Sequence, residues 1–174
     1  MTRYYGKYRG KVSNNTDPDN LGRVQVSVPA VFDNFTMNWA MPSVPYAGQS
    51  NAFYAIPPVG ANVWVEFEGG DPEKPIWSGC FWGTGEVPSQ ATSTAAAIPH
   101  LLFQTTGQTT LLVSDAPGPT GGIILKTGSG AKIEINDTGI TIDNGQGASI
   151  KLTAAGVTVT GSPTAINNTA LVVN

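Results

Sequence analysis

The chain has 174 residues, of which only 12% are charged, with 21 glycines, 13 prolines and a formal net charge of −3. That length sets one or two small domains, and the acidic balance argues against bulk electrostatic binding of nucleic acid. No window keeps apolar residues at a period of 3.6 and no stretch reaches membrane-spanning length, so the expectation is an all-β chain with many turns.

Residues 1–83 hold all the tryptophans and tyrosines. Tyr4, Gly6, Tyr8, Gly10 and Val12 alternate with Arg3, Tyr5, Lys7, Arg9 and Lys11, the period-two pattern of a strand with one buried face. Its outer side carries four of the nine basic residues, Arg3, Lys7, Arg9 and Lys11. The run from Asn14 to Asn20 is a dense turn signal. Val24, Val26 and Val28 predict a second strand closed by Pro29, Trp39–Pro42 a third and Val63–Glu68 a fourth. After Gly69-Gly70-Asp71-Pro72, Pro75–Phe81 gives a fifth. Five short strands in this span fit a small closed barrel, which removes the exposed edges of a flat sheet. Tyr4, Tyr8, Trp64, Trp77 and Trp82 have the spacing of barrel interior positions rather than of a base-stacking platform. Glu66 and Glu68 alternate with Val65 and Phe67 and read as a solvated strand face, not a catalytic carboxylate pair. The lone Cys80 makes no intrachain disulfide and reads as a buried small hydrophobe.

Residues 84–99 are small and polar, a linker with no space for a catalytic domain. His100, the only histidine, has no partners for a triad or a metal site and reads as a junction residue, so no catalytic residue, metal or cofactor is expected. Beyond it a repeat emerges. Gly122, Gly139 and Gly156 are spaced by 17 residues, and each unit holds two apolar-x-apolar strands. Leu111-Leu112-Val113 begins the series, with the Pro117-Gly118-Pro119 turn inserted before the next strand. The alternating positions Ile123, Leu125, Ile133, Ile135, Ile140, Ile142, Ile150, Leu152, Val157 and Val159 face nothing in a chain with so few repeats. Residues 100–174 are therefore expected to be an obligate oligomer: three chains closing a narrow prism, with those ten side chains as its core. A monomeric β-solenoid or sandwich is the alternative. Leu171, Val172 and Val173, in the apolar run that ends the chain, are candidates to seal its tip.

Several segments resemble the OB-fold domain of the gp5/VgrG-like central spike family of contractile phage tails, tailocins, extracellular injection systems and type VI secretion. They are Tyr8–Val12, Asp17-Pro18-Asp19 through Leu21–Val26, Trp39–Pro42, Pro57–Gly60, Val63–Pro72 and Pro75–Gly79, in order across most of residues 4–83. The repeat half resembles the family's triple-stranded β-helix. The resemblance implies a homotrimeric, non-enzymatic spike assembled in a bacterial cytoplasm and carried on a virion tail or extracellular particle. Its barrel, by Arg3, Lys7, Arg9 and Lys11, would meet a separate trimeric hub at the tube end, and its needle would pierce the target envelope in transient contact with the membrane. The family's His-x-His iron motif is absent, while a PAAR-like cone could sit on the tip. No hub domain precedes the barrel and no lysozyme domain separates it from the needle, which points to a minimal spike. An OB-type module binding oligosaccharide or single-stranded nucleic acid on a fibrous stalk is the rival reading.

Overall fold

The structure, a computed structural model, describes residues 2–32, 36–93, 97–162, 164–166 and 171–173. The chain divides into two units, Met1–Glu86 and Val87–Asn174.

The first unit runs β1 (Tyr8–Asn14), β2 (Val24–Ser27), a single helical turn α1 (Pro29–Phe32) and β3 (Thr36–Pro42). A small hairpin of β4 (Ala47–Gly48) and β5 (Asn51–Ala52) follows, then β6 (Asn62–Phe67) and β7 (Pro75–Phe81). Five of these strands close in the order β1-β2-β3-β7-β6. Every pairing in the ring is antiparallel except that of β3 with β7. This is the five-stranded OB-type barrel expected from the sequence. Alternation produces it directly: along β6, Val63, Val65 and Phe67 are buried while Asn62, Trp64 and Glu66 face outward. The core is mostly valine (Val12, Val24, Val26, Val28, Val63, Val65), closed by Ala40, Phe67 and Trp77. A narrow barrel interior favours such compact β-branched side chains. The Trp77 Nε1–H donates to the Gly22 carbonyl at 3.2 Å, so the one indole inside has its partner.

Three expectations are corrected here. The first strand begins at Tyr8: Gly6 takes a left-handed φ of 85°, and residues 3–5 instead tie to the turn after β6. There the Tyr4 N–H donates to Gly70 O at 2.9 Å and Arg3 Nη1 to Gly69 O at 3.1 Å. Of the five aromatics assigned to the interior, only Trp77 lies in it. Tyr4 and Tyr8 pack against Phe67 from the rim, Trp64 is on the outer side of β6 because its neighbours point in, and Trp82, beyond β7, is 68% exposed. Cys80 is exposed, not buried: it lies three residues beyond the buried Trp77, an odd step along the strand that turns it to the outer face.

In the second unit a short helix α2 (Ser89–Ser93) precedes seven strands: β8 (His100–Gln104), β9 (Thr110–Ser114), β10 (Gly122–Lys126), β11 (Lys132–Asn136), β12 (Gly139–Asp143), β13 (Ser149–Thr153) and β14 (Gly156–Thr160). They form one antiparallel meander in sequence order. The 17-residue period is two strands with one long and one short connection. The long connections close alike, by Thr105 N–H to Thr109 O, Thr127 N–H to Ala131 O and Asn144 N–H to Ala148 O, at 2.9 to 3.0 Å. Asp137-Thr138 and Ala154-Ala155 are the short ones. The series starts one strand earlier than the sequence suggests, at His100. Residues 115–121 stand where a short connection would be and fold back toward β11, held by Gly118 N–H to Asp137 Oδ2 (2.9 Å). Strands β15 (Thr164–Ile166) and β16 (Leu171–Val173) pair antiparallel.

Candidate functional site

Strand register makes the alternating apolar residues of the second unit into two unbroken rows. One row runs Leu101, Val113, Ile123, Ile135, Ile140, Leu152, Val157; the other runs Phe103, Leu111, Leu125, Ile133, Ile142, Ile150, Val159. Residues two apart on a strand share a face, so all fourteen lie on one side of the sheet. Six strand spacings of about 4.8 Å give the rows a length of about 29 Å. In a single chain this face is open: Ile133, Ile135, Ile140 and Ile142 are 37–46% exposed, and Val157 68%. All ten positions singled out from the sequence fall on it. Leu101, Phe103, Leu111 and Val113 were not, because the 115–121 insertion hides the repeat there.

The opposite face has a different grammar. Its middle row reads Leu102, Leu112, Ile124, Glu134, Thr141, Lys151, Thr158, apolar over the first three strands and polar beyond. Leu112 and Ile124 are buried within the chain itself, in a hollow lined also by Ile98, Ala116, Pro117 and Pro119. The second face thus needs no partner. The first, continuous and apolar over its whole length, is far larger than the scattered apolar residues of an ordinary surface.

On the barrel, the basic residues of the N-terminal segment are all exposed. They are not a bare positive patch. Lys7 Nζ pairs with Glu66 Oε1 at 2.5 Å and donates to Ser78 Oγ at 2.8 Å. The Arg9 guanidinium lies 5.6 Å from the Trp64 ring and 5.3 Å from Phe81, which are themselves packed with centroids 4.7 Å apart. Register puts these groups together, since Arg9 sits opposite Trp64 and Tyr8 opposite Val65. Arg9 and Lys11 also border a groove of about 600 Å³ with Asn62, Phe81 and Gly83.

Two family models match the chain. The type VI secretion system/phage-baseplate injector OB domain covers residues 8–82, and the phage baseplate V C-terminal trimerisation domain covers residues 100–172. The chain belongs to the phage baseplate V spike family. The trimerisation match supports a homotrimer and falls on the unit that carries the open face. The matched barrel domain is one shared by phage baseplates and type VI secretion injectors. Comparison with curated proteins finds no match.

In this baseplate V chain the loop between β1 and β2 is locked rather than open to ligands. Asp17, whose side chain is 5% exposed, receives Arg23 Nη2 at 2.6 Å and Nε at 3.1 Å. It also accepts the backbone N–H groups of Asp19, Leu21 and Arg23 at 2.8–3.1 Å. Asp19 Oδ2 accepts from the same Nη2, and Trp39 lies 5.5 Å from the guanidinium carbon. Arg23 first, with the backbone N–H groups behind it and burial opposing, holds the Asp17 carboxyl well below the usual carboxylate range. A carboxyl lowered in the folded state adds stability above its unfolded pKa, and that stability is lost as pH falls through the folded value. We expect the barrel's melting temperature to drop between about pH 4 and pH 2, and Asp17→Asn to be less stable at pH 7 with a flatter acid limb. Parallel curves for the two proteins in calorimetry would remove Asp17 from this role.

Elsewhere, His100 Nδ1 lies 3.0 Å from Ile98 O at the start of β8. Among the described residues no His, Cys, Asp and Glu cluster could hold a metal, and no helix is long and apolar enough to cross a membrane. The backbone of Leu171–Val173 forms β16, whereas the side chains of these tip candidates, and all of residues 167–170 and 174, lie outside the described residues.

Proposed function

We propose that the chain is the central spike of a contractile phage-like tail or injection particle. Three copies bring their open faces together into a three-chain β-helical needle, with the ten alternating residues from Ile123 to Val159, joined by Leu101, Phe103, Leu111 and Val113, as its dry core. The observation that carries this reading is the pair of unbroken apolar rows, exposed in one chain and registered over seven strands. Burying about 1.5–3 kcal/mol of transfer free energy per side chain along such rows drives association. Backbone pairing within each chain leaves the needle with little free edge. Residues 1–83 form the base, 84–99 the linker and 100–174 the needle.

The barrel attaches to a separate trimeric hub at the tube end, through Arg3, Lys7, Arg9 and Lys11. Arg9, flanked by Trp64 and Phe81, offers both charge and apolar area, the combination typical of interface anchors. The needle is driven through the target envelope on contraction and touches the membrane only in passing. Its terminal strands seal the trimer around Leu171, Val172 and Val173, or seat a PAAR-like cone. The work is mechanical, with no catalysis or cofactor; the closed Asp17–Arg23 loop disfavours the rival oligonucleotide or oligosaccharide module, because ligands of such barrels sit on that loop.

In purified particles, antibody against residues 100–160 should decorate the distal end of the tail; decoration of the sheath or tube wall would refute the spike assignment. Particles made with Arg9→Glu and Lys11→Glu should lose the chain at physiological salt, since reversal sets like charges against an acidic hub. Full occupancy of the double variant, even at low salt, would end the basic-face contact.

A further inference from the structure

The first unit carries a feature that neither the barrel core nor the basic face uses. Between Asp33 and Glu66 the sequence has no charged residue. In the middle of this stretch the β4–β5 hairpin stands out from the barrel, and every residue from Tyr46 to Ala55 is exposed. Tyr46 is 60% exposed, Phe53 47% and Tyr54 72%. The hairpin is nevertheless held in place. Val44 and Ile56, at its two feet, pack against the barrel core, and the Phe53 N–H donates to Tyr46 O at 2.7 Å. Pro45, Pro57 and Pro58 stiffen the same feet. Three large aromatic rings are thus presented to solvent on a braced support. Such rings, ordered in advance, are typical anchors of protein contacts.

We propose that this hairpin is a contact between the barrels of neighbouring copies within the trimer. The inference rests on the trimeric reading given above, and two observations select a second copy as the occupant. The first is charge. The hairpin carries no charge, so it can face a sister chain that is itself net acidic without setting like charges against each other. The second is size. At about 200 Å² per aromatic side chain, the exposed parts of the three rings come to roughly 350 Å². That is well below the ~800 Å² per partner of a free-standing complex. A patch this small does not recruit a separate protein from solution, but it suffices where another contact already holds the partners together. Trimerisation through the second unit raises the effective concentration of one barrel around the next to the millimolar range.

The test uses the full-length chain with Cys80→Ser, to remove the exposed native thiol, and a single new cysteine by Phe53→Cys. Light scattering first establishes the mass of the labelled species, and the rate of reaction with a maleimide is then measured. The cysteine at position 53 should react at least tenfold more slowly in the trimer than in an Ile140→Asp version that does not assemble. A comparison inside the trimer needs no monomeric form: Glu73→Cys, exposed in the β6–β7 turn at the end of β6 away from the hairpin, should react at least tenfold faster than Phe53→Cys. Trimeric mass with equal rates at positions 53 and 73 would overturn the barrel contact and leave the needle trimer standing. A single-chain mass would overturn the trimer and this contact together.

Discussion

Ile140→Asp should reduce the protein to single chains, while Thr141→Asp, one residue along the same strand, should leave its mass unchanged. The two residues are adjacent on β12 but face opposite ways. Ile140 pairs with Ile135 and Leu152 in an apolar row, and Thr141 with Glu134 and Lys151 on the polar face. In a three-chain needle three aspartates at position 140 meet inside the apolar core. Each loses about 1.5–3 kcal/mol of apolar burial and adds an unpaired carboxylate whose desolvation costs several kcal/mol more. The threefold repetition multiplies the loss, so dissociation rather than weakening is expected. At position 141 the new carboxylate stays in water, beside Lys151. Sedimentation velocity reads the difference directly. Equal behaviour of the two variants would mean that the rows are not the contact.

Gly139→Ala should be far more damaging than Gly156→Ala, although the two glycines are equivalent in the repeat. Both take a positive φ, 139° and 126°, which any side chain resists, at a cost of about 1–3 kcal/mol. The surroundings differ. A Cβ at position 139 would lie 2.0 Å from the Leu152 carbonyl oxygen, on the next strand, while at position 156 no described residue lies within 4 Å. Backbone cannot move aside as a side chain can, so the alanine at 139 must break the β12–β13 pairing or push it apart. We expect Gly139→Ala to lower the melting temperature by at least about 10 °C more than Gly156→Ala, as followed by circular dichroism. Similar losses at both positions would show that strain alone, and not close approach of the strands, holds the 17-residue spacing.

The repeat was legible from residue 122 onward because glycine marks each pair of strands and Ile-x-Ile alternation is clean. Earlier, only Leu111–Val113 could be assigned to the series, and neither its two faces nor the strand before it could be read, for a physical reason. Leu101-Leu102-Phe103, Leu111-Leu112-Val113 and Ile123-Ile124-Leu125 are apolar at three consecutive positions, since the middle residue lies on the other face, where Leu112 and Ile124 are buried beside the 115–121 insertion. A strand apolar on both faces has no alternation to read. In the barrel, the valines of β2 and β6 announced the core, but ring size misled: a narrow interior takes valine, and Trp64 and Trp82 were left outside. The state of the basic residues depends on which strand lies beside which. Only the β1–β6 register reveals that Lys7 meets Glu66 and that Arg9 lies over Trp64. The Asp17–Arg23 lock was within reach of sequence, since an Asp followed by turn residues and an Arg six positions on is a local arrangement, yet its burial and its Trp39 floor required the fold.

What matters above all is whether the open face of the meander is completed by sister chains. Light scattering on the purified full-length protein at micromolar concentration answers this. Three chains of 18.1 kDa should give a species of about 54 kDa. A folded, soluble species of one chain's mass would leave the fourteen-residue face bare in water and end the needle.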